Sequence, residues 1–266
     1  MTASAEVNRA ELVTRIVAGA AMIAVALAAL WLGGVAFWIL CCVVALGVLR
    51  EWGMLVGMAE GERRLMLFAL SVPLAIMSPW AAGPDFFALG LVAAASFFIV
   101  IIWRKPERAA GVLYAGLPVL ALILIRDQPR GLLFAFWTFA LVWACDIGAF
   151  FAGRWLGGPR LAPEISPNKT WAGLAGGIIA ASTLAAVLHV TMGLPWRLTL
   201  ATPVLAIASQ GGDLFESWLK RRAGVKDSGS ILPGHGGLLD RLDGLVPVAP
   251  LAAILVMLPQ LRGMMV

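Results

Sequence analysis

The chain has 266 residues, of which 61% are hydrophobic and only 13% charged. Soluble domains average about 25% charged residues, and disordered chains are less apolar still, so both classes are excluded. The net charge of +5 fits loop orientation and anionic headgroups better than a nucleic-acid partner, which is not expected.

A spanning helix needs about 20 residues. Apolar runs bounded by charges or by Gly and Pro fall at 15–32, 35–49, 65–82, 86–103, 110–125, 131–151, 171–193, 199–212 and 245–261. The expected fold is therefore all-α: a polytopic membrane protein of about nine transmembrane helices. Its organisation is read as an N-terminal set of about five spans (1–139) followed by a catalytic membrane region (140–266). The N-terminal stretch, with two acids among its arginines and no small-residue cleavage site, reads as a cytosolic tail and not as a removed signal peptide. Cys41, Cys42 and Cys145 lie in apolar runs without metal or disulfide spacing, and read as buried thiols.

The loop charges test the span count. With nine spans, the N-terminal tail and the even-numbered loops share one side. Of the 20 Lys and Arg, only Arg126, Arg130, Arg197 and Arg262 fall on the other. This asymmetry predicts a cytosolic N-terminus under the positive-inside rule.

The first five spans carry little polar chemistry, and the acids Glu51, Glu60, Glu62, Asp85, Glu107 and Asp127 are expected to be solvated at loops or span ends. Chemistry concentrates after residue 140. Asp146 sits inside the sixth apolar run, where an ionised carboxylate is costly unless paired or metal-bound; a structural salt bridge to Arg154 is the other reading. The loop 165–171 offers Ser166 or Thr170 as a cap for the seventh helix, with Lys169 near its positive end as a phosphate ligand. In that helix Gly173, Gly176 and Gly177 read as close helix packing.

The richest segment is 212–243. On a helix, Asp213, Glu216, Ser217 and Lys220 share one face. Asp240 and Asp243 are again three apart, and such carboxylate pairs suit a hard cation such as Mg2+. Lys220, Arg221, Arg222, Lys226 and Arg241 have the charge for a polyphosphate, and Gly234, Gly236 and Gly237 let backbone amides approach a ligand. No HExxH, Cys/His cluster or GxSxG elbow is present, and His189 reads as a packed polar residue. Acids for a metal, bases for phosphates and a membrane setting fit transfer of a phosphoryl or nucleotidyl group to or from a lipid.

Residues 217–243 then carry a resemblance. Ser217-x-Leu219-Lys220-Arg221, Lys226-Asp227-x-Gly229 and Leu232-Pro233-x-His235-Gly236-Gly237-Leu238-x-Asp240-Arg241-Leu242-Asp243 resemble the signature of the phosphatidate cytidylyltransferases (CDP-diacylglycerol synthases). Asp146–Arg154 and the Ser166-Pro167-x-Lys169-Thr170 loop resemble the same family. In the loop, Asn168 stands where the family has a lysine and Ala172 where it has a glutamate.

The resemblance implies CTP and phosphatidate as substrates, CDP-diacylglycerol and pyrophosphate as products, and Mg2+ as cofactor, with room for a second, monovalent cation. It implies Asp213 and Asp240 as metal ligands with Asp243 and Asp146 beside them. Lys220, Arg221 and Lys226 would neutralise the triphosphate, and Lys169 and Arg154 would receive the lipid phosphate. Ser166, Thr170, Ser217, His235, Gly236, Gly237 and Arg241 complete the expected binding set. A bacterial inner-membrane location and a homodimer are further expectations. Other readings are a cytidylyltransferase for an archaeal-type lipid phosphate, a transporter with Asp146 as ion site, and a silent membrane scaffold.

Overall fold

The computed structural model describes residues 19–229 and 236–264, with side chains to residue 260. His235 and Gly234, and the N-terminal tail with Arg9 and Arg15, lie outside the described residues.

Nine α-helices run through the described chain: α1 (Gly19–Leu32), α2 (Gly34–Leu55), α3 (Glu60–Ile76), α4 (Phe86–Trp103), α5 (Pro106–Arg126), α6 (Gly131–Leu156), α7 (Trp171–Met192), α8 (Trp196–Arg222) and α9 (Leu245–Met264). Five of them, α2, α4, α5, α6 and α7, are long and apolar enough to cross a membrane. The others coincide in place with the remaining expected spans. This is a polytopic, all-α membrane protein.

Local chemistry sets the helix starts. Asp85 accepts from the Ala88 N–H at 2.9 Å to open α4, Pro106 occupies the first turn of α5, and Thr170 Oγ1 accepts from the Gly173 N–H at 3.0 Å to open α7. Each satisfies or removes a donor that has no partner within the helix.

Two elements differ from expectation. The segment between α6 and α7 is an antiparallel hairpin, β1 (Arg160–Ala162) and β2 (Ser166–Thr170), not an open loop. Helix α8 extends ten residues beyond the apolar run that ended at 212. The polar stripe continues the helix because its opposite face stays apolar: Phe215 stacks on Trp52 and Tyr114, with centroids 6.3 and 5.9 Å apart.

The buried core is built mainly from α2, α5, α6 and α9. Trp137 of α6 is fully buried and donates through Nε1 to Thr202 Oγ1 of α8 at 3.1 Å. Helices α6 and α7 pack backbone to backbone. A Cβ on Gly177 would lie 2.8 Å from the Cys145 carbonyl oxygen, which is the small-residue packing read from the sequence.

The helix ends segregate as the charge count required. At one end Arg108 of α5 pairs with Glu62 of α3 at 2.5 Å, and Arg222 of α8 approaches Glu107 of α5 at 3.7 Å. At the other end Arg126 donates to the carbonyls of Leu30 and Trp31, and Arg130 to those of Met192 and Gly193. Those two arginines cap the C-termini of α1 and α7, where a cation meets the negative end of the helix dipole.

Candidate active site

The site forms at the first of these ends. Helix α8 brings Asp213, Glu216, Ser217 and Lys220 onto one face, and the turn before α9 brings Asp240 and Asp243 against it. The close approach requires Gly212, where a Cβ would collide with the Asp243 carbonyl and the Pro247 ring.

Asp213, Glu216 and Asp243 each present a carboxylate oxygen within 4.8 Å of the others. Glu216 is 1% exposed, and its Oε1 is buried without a hydrogen-bond partner. Burial, and next the negative charge of Asp213, push the Asp243 carboxyl up from its ordinary range to about 7. Like charges crowded in this way favour a bound cation, and an all-oxygen donor set suits a hard one. The residues therefore fit an Mg2+ ion.

Two lysines border the acids. Lys169 Nζ, on β2, lies 2.5 Å from Asp213 Oδ2 and 3.5 Å from the Gln210 carbonyl oxygen. Lys220 Nζ lies 2.7 Å from Glu216 Oε2 and 2.6 Å from Asp240 Oδ1.

Asp240, expected among the metal ligands, is hydrogen-bonded on both carboxylate oxygens. Its Oδ1 accepts from Lys220, while its Oδ2 accepts from the N–H and Oγ of Ser228, both at 3.0 Å, and from the Gly237 N–H at 2.9 Å. Burial alone would raise this carboxyl, but the hydrogen bonds it accepts from Lys220, Ser228 and Gly237 outweigh it and hold it well below the usual carboxylate range. The three-carboxylate cluster of the described residues holds Glu216 with Asp213 and Asp243, while both oxygens of Asp240 are hydrogen-bonded. Helical spacing had already placed Glu216 on the stripe, but which stripe carboxylate keeps a free oxygen depends on where Lys220 lies.

The other expected residues divide by environment. Asp146 is exposed on α6, with Gln210 Nε2 at 3.4 Å from its Oδ1; Gln210 thereby links it to Lys169. Ser217 Oγ lies 3.5 Å from Asp213 Oδ1. Arg154, Arg221, Lys226 and Arg241 are exposed around the rim, and Ser166 is half-buried at the start of β2. Thr170, expected in the binding set, has its hydroxyl engaged as the α7 cap. Gly236 and Gly237 pass close to side chains: a Cβ would lie 3.1 Å from Asp240 Oδ2 at Gly236, and 2.5 Å from Glu51 Oε2 at Gly237.

Glu51 corrects an expectation outright. It is not a solvated acid at a span end: it is fully buried on α2. It accepts from Ser228 Oγ at 2.8 Å, the Leu238 N–H at 2.9 Å and the Leu239 N–H at 2.8 Å. The signal in the sequence was its place on the helix, one turn after Val48 on a face that also buries Ala45 and Trp52. Tyr114 was also missed. Among the described residues its buried hydroxyl has no hydrogen-bond partner.

A helical membrane bundle with an acidic cluster between two lysines at one end defines a class: an integral-membrane protein equipped for polyphosphate chemistry. The sequence matches the model of the Cytidylyltransferase family over residues 13–258, and the chain belongs to that family. It is 41% identical to a phosphatidate cytidylyltransferase of Brucella melitensis over 244 residues, 90% of each chain. It is 46% identical to one of Bacillus subtilis over 142 residues, 52% of this chain and 53% of that protein. A third, from Rickettsia bellii, is 32% identical over 197 residues, 61% of this chain and 85% of the other.

Proposed function

We propose that this protein transfers the cytidylyl group of CTP to phosphatidate, giving CDP-diacylglycerol and pyrophosphate for phospholipid synthesis. The relatives' names support the substrates. The observation that carries the reading is the cluster of Asp213, Glu216 and Asp243 flanked by Lys169 and Lys220.

A phosphatidate oxygen attacks the α-phosphorus of CTP, a new P–O bond forms, and the bond to the β-phosphate breaks to release pyrophosphate. The attacking oxygen is already anionic near neutral pH, so no activated side-chain nucleophile is required. The obstacle is repulsion between two polyanions, and catalysis is mainly positioning and charge stabilisation. Asp213, Glu216 and Asp243 would hold Mg2+, which supplies charge neutralisation at the triphosphate. Lys220, fixed between Glu216 and Asp240, presents its ammonium group to the triphosphate, with Arg221 and Lys226 exposed beside it. Lys169 and Arg154 receive the lipid phosphate. Next to Arg154, α6 exposes Ile147, Phe150, Phe151 and Trp155, an apolar surface on which acyl chains can remain in the bilayer.

CTP is a cytosolic nucleotide, so the site end faces the cytosol. The loop charges independently favour that orientation, and the bacterial relatives favour the inner membrane.

The test is pyrophosphate release by detergent-purified protein with CTP and Mg2+, with and without phosphatidate. Release that needs both lipid and Mg2+ is expected. Silence with phosphatidate alongside turnover of another lipid phosphate would reassign the substrate, and silence with all of them would overturn the reading.

A further inference from the structure

Building on the cytidylyl-transfer reading, we propose that Glu51 is a positioning residue, holding the 238–239 backbone and Ser228 so that Asp240 and Asp243 meet Lys220 and the rest of the stripe on α8. Glu51 lies 188 residues from Leu239 in sequence and belongs to a helix that supplies no other polar group to the site.

Its carboxylate accepts from the Leu238 and Leu239 N–H groups, which open the 3-10 turn Leu239–Arg241. That turn carries Asp240, whose Oδ1 holds Lys220 at 2.6 Å, and it leads directly to Asp243 of the acidic cluster. Ser228 Oγ completes the frame, lying 2.8 Å from Glu51 Oε2 and 3.0 Å from Asp240 Oδ2. One hydroxyl proton serves one acceptor at a time, so the serine couples the two carboxylates. The surroundings leave no slack: a Cβ on Gly229 would lie 2.5 Å from Glu51 Oε1 and one on Gly237 2.5 Å from Oε2. Among the described residues Glu51 hydrogen-bonds Ser228, Leu238 and Leu239 and not the acids of the cluster, so its effect on chemistry passes through the turn.

A glutamine here keeps size and shape, yet its amide NH2 must face at least one of the two backbone donors, leaving a buried N–H unsatisfied. Glu51→Gln, Glu51→Asp and wild type would be compared by steady-state kinetics, thermal unfolding in detergent, and amide hydrogen exchange at Ser228, Leu238 and Leu239. In Glu51→Gln, exchange at Leu238 and Leu239 speeds up, and kcat/KM for CTP falls by about tenfold or more. KM for phosphatidate stays within about twofold of wild type, and Glu51→Asp recovers part of kcat by restoring the carboxylate.

A Glu51→Gln protein with wild-type exchange at the two amides and wild-type kinetics would overturn the proposal. So would a loss of activity matched entirely by loss of folded protein. Should Glu51→Gln not fold, Ser228→Ala carries the same kinetic and exchange readouts at the shared hydroxyl. Wild-type protein that is silent with every lipid phosphate would remove the cytidylyl-transfer reading, while the exchange comparison would still decide whether Glu51 holds the turn.

Discussion

Lys169 Nζ of the hairpin lies 2.5 Å from Asp213 Oδ2 of α8, joining the residue expected to meet the lipid phosphate to one expected to hold the metal. Under the proposed function, the contact puts the groups that would meet the two substrates within one side-chain length, as an attack of one phosphate on another requires. Lys169→Met is expected to raise KM for phosphatidate more than KM for CTP. Separate titrations of the two substrates measure the difference, and equal effects would place Lys169 on the nucleotide.

Asp213→Asn should leave a folded protein with turnover reduced by about a hundredfold or more, because it removes charge stabilisation at the reacting phosphates. Pyrophosphate release and gel filtration together check it. Retained activity would remove Asp213 from the site.

Mg2+ should raise the melting temperature of wild-type protein: a ligand at a hundred times its Kd contributes about 2.7 kcal/mol. Glu216→Gln should lose most of this shift, since Glu216 belongs to the acidic cluster. Ser217→Ala should keep it, since that hydroxyl only approaches Asp213 at 3.5 Å. Thermal scans with and without Mg2+ distinguish them.

Lys220 sits between Glu216 and Asp240, both nearly buried. Lys220→Met leaves two buried carboxylates without their cation and should destabilise the protein by about 3 kcal/mol. Adding Asp240→Asn should restore part of the loss, and a double-mutant cycle measures the coupling. Additive effects would show that the pair is not coupled.

Thr170→Ala should cost about 1 kcal/mol through loss of the α7 cap, and Thr170→Ser should restore it. Substrate KM values near wild type in both variants would place the hydroxyl in the fold; a raised KM at unchanged stability would return it to the binding set.

Much of the architecture was legible in the sequence because a membrane imposes a simple rule. Every backbone polar group must be paired within lipid, so a long apolar run becomes a helix, and charged loops mark its ends. The helices covering the apolar runs 86–103, 131–151 and 171–193 follow from that alone. So does the one-sided distribution of Lys and Arg, which needs no knowledge of packing. The stripe Asp213, Glu216, Ser217 and Lys220 was equally legible, because helical periodicity fixes which residues share a face.

Partnership across the bundle was not legible. Glu51 looked like a solvated acid because its partners, Ser228, Leu238 and Leu239, lie 177 to 188 residues away, and no local pattern encodes a backbone amide as its donor. Asp240 was expected as a metal ligand and Glu216 only as a member of the stripe. Their surroundings became distinct only where the turn before α9 gave Asp240 three further donors from Ser228 and Gly237 and, among the described residues, left Glu216 Oε1 with none. Sequence by itself determined the apolar helices and the polar stripe on α8, because those depend on periodicity and composition. The tertiary structure decided which carboxylate oxygens are hydrogen-bonded and which cluster together, because that depends on the few ångströms between side chains brought together from distant parts of the chain.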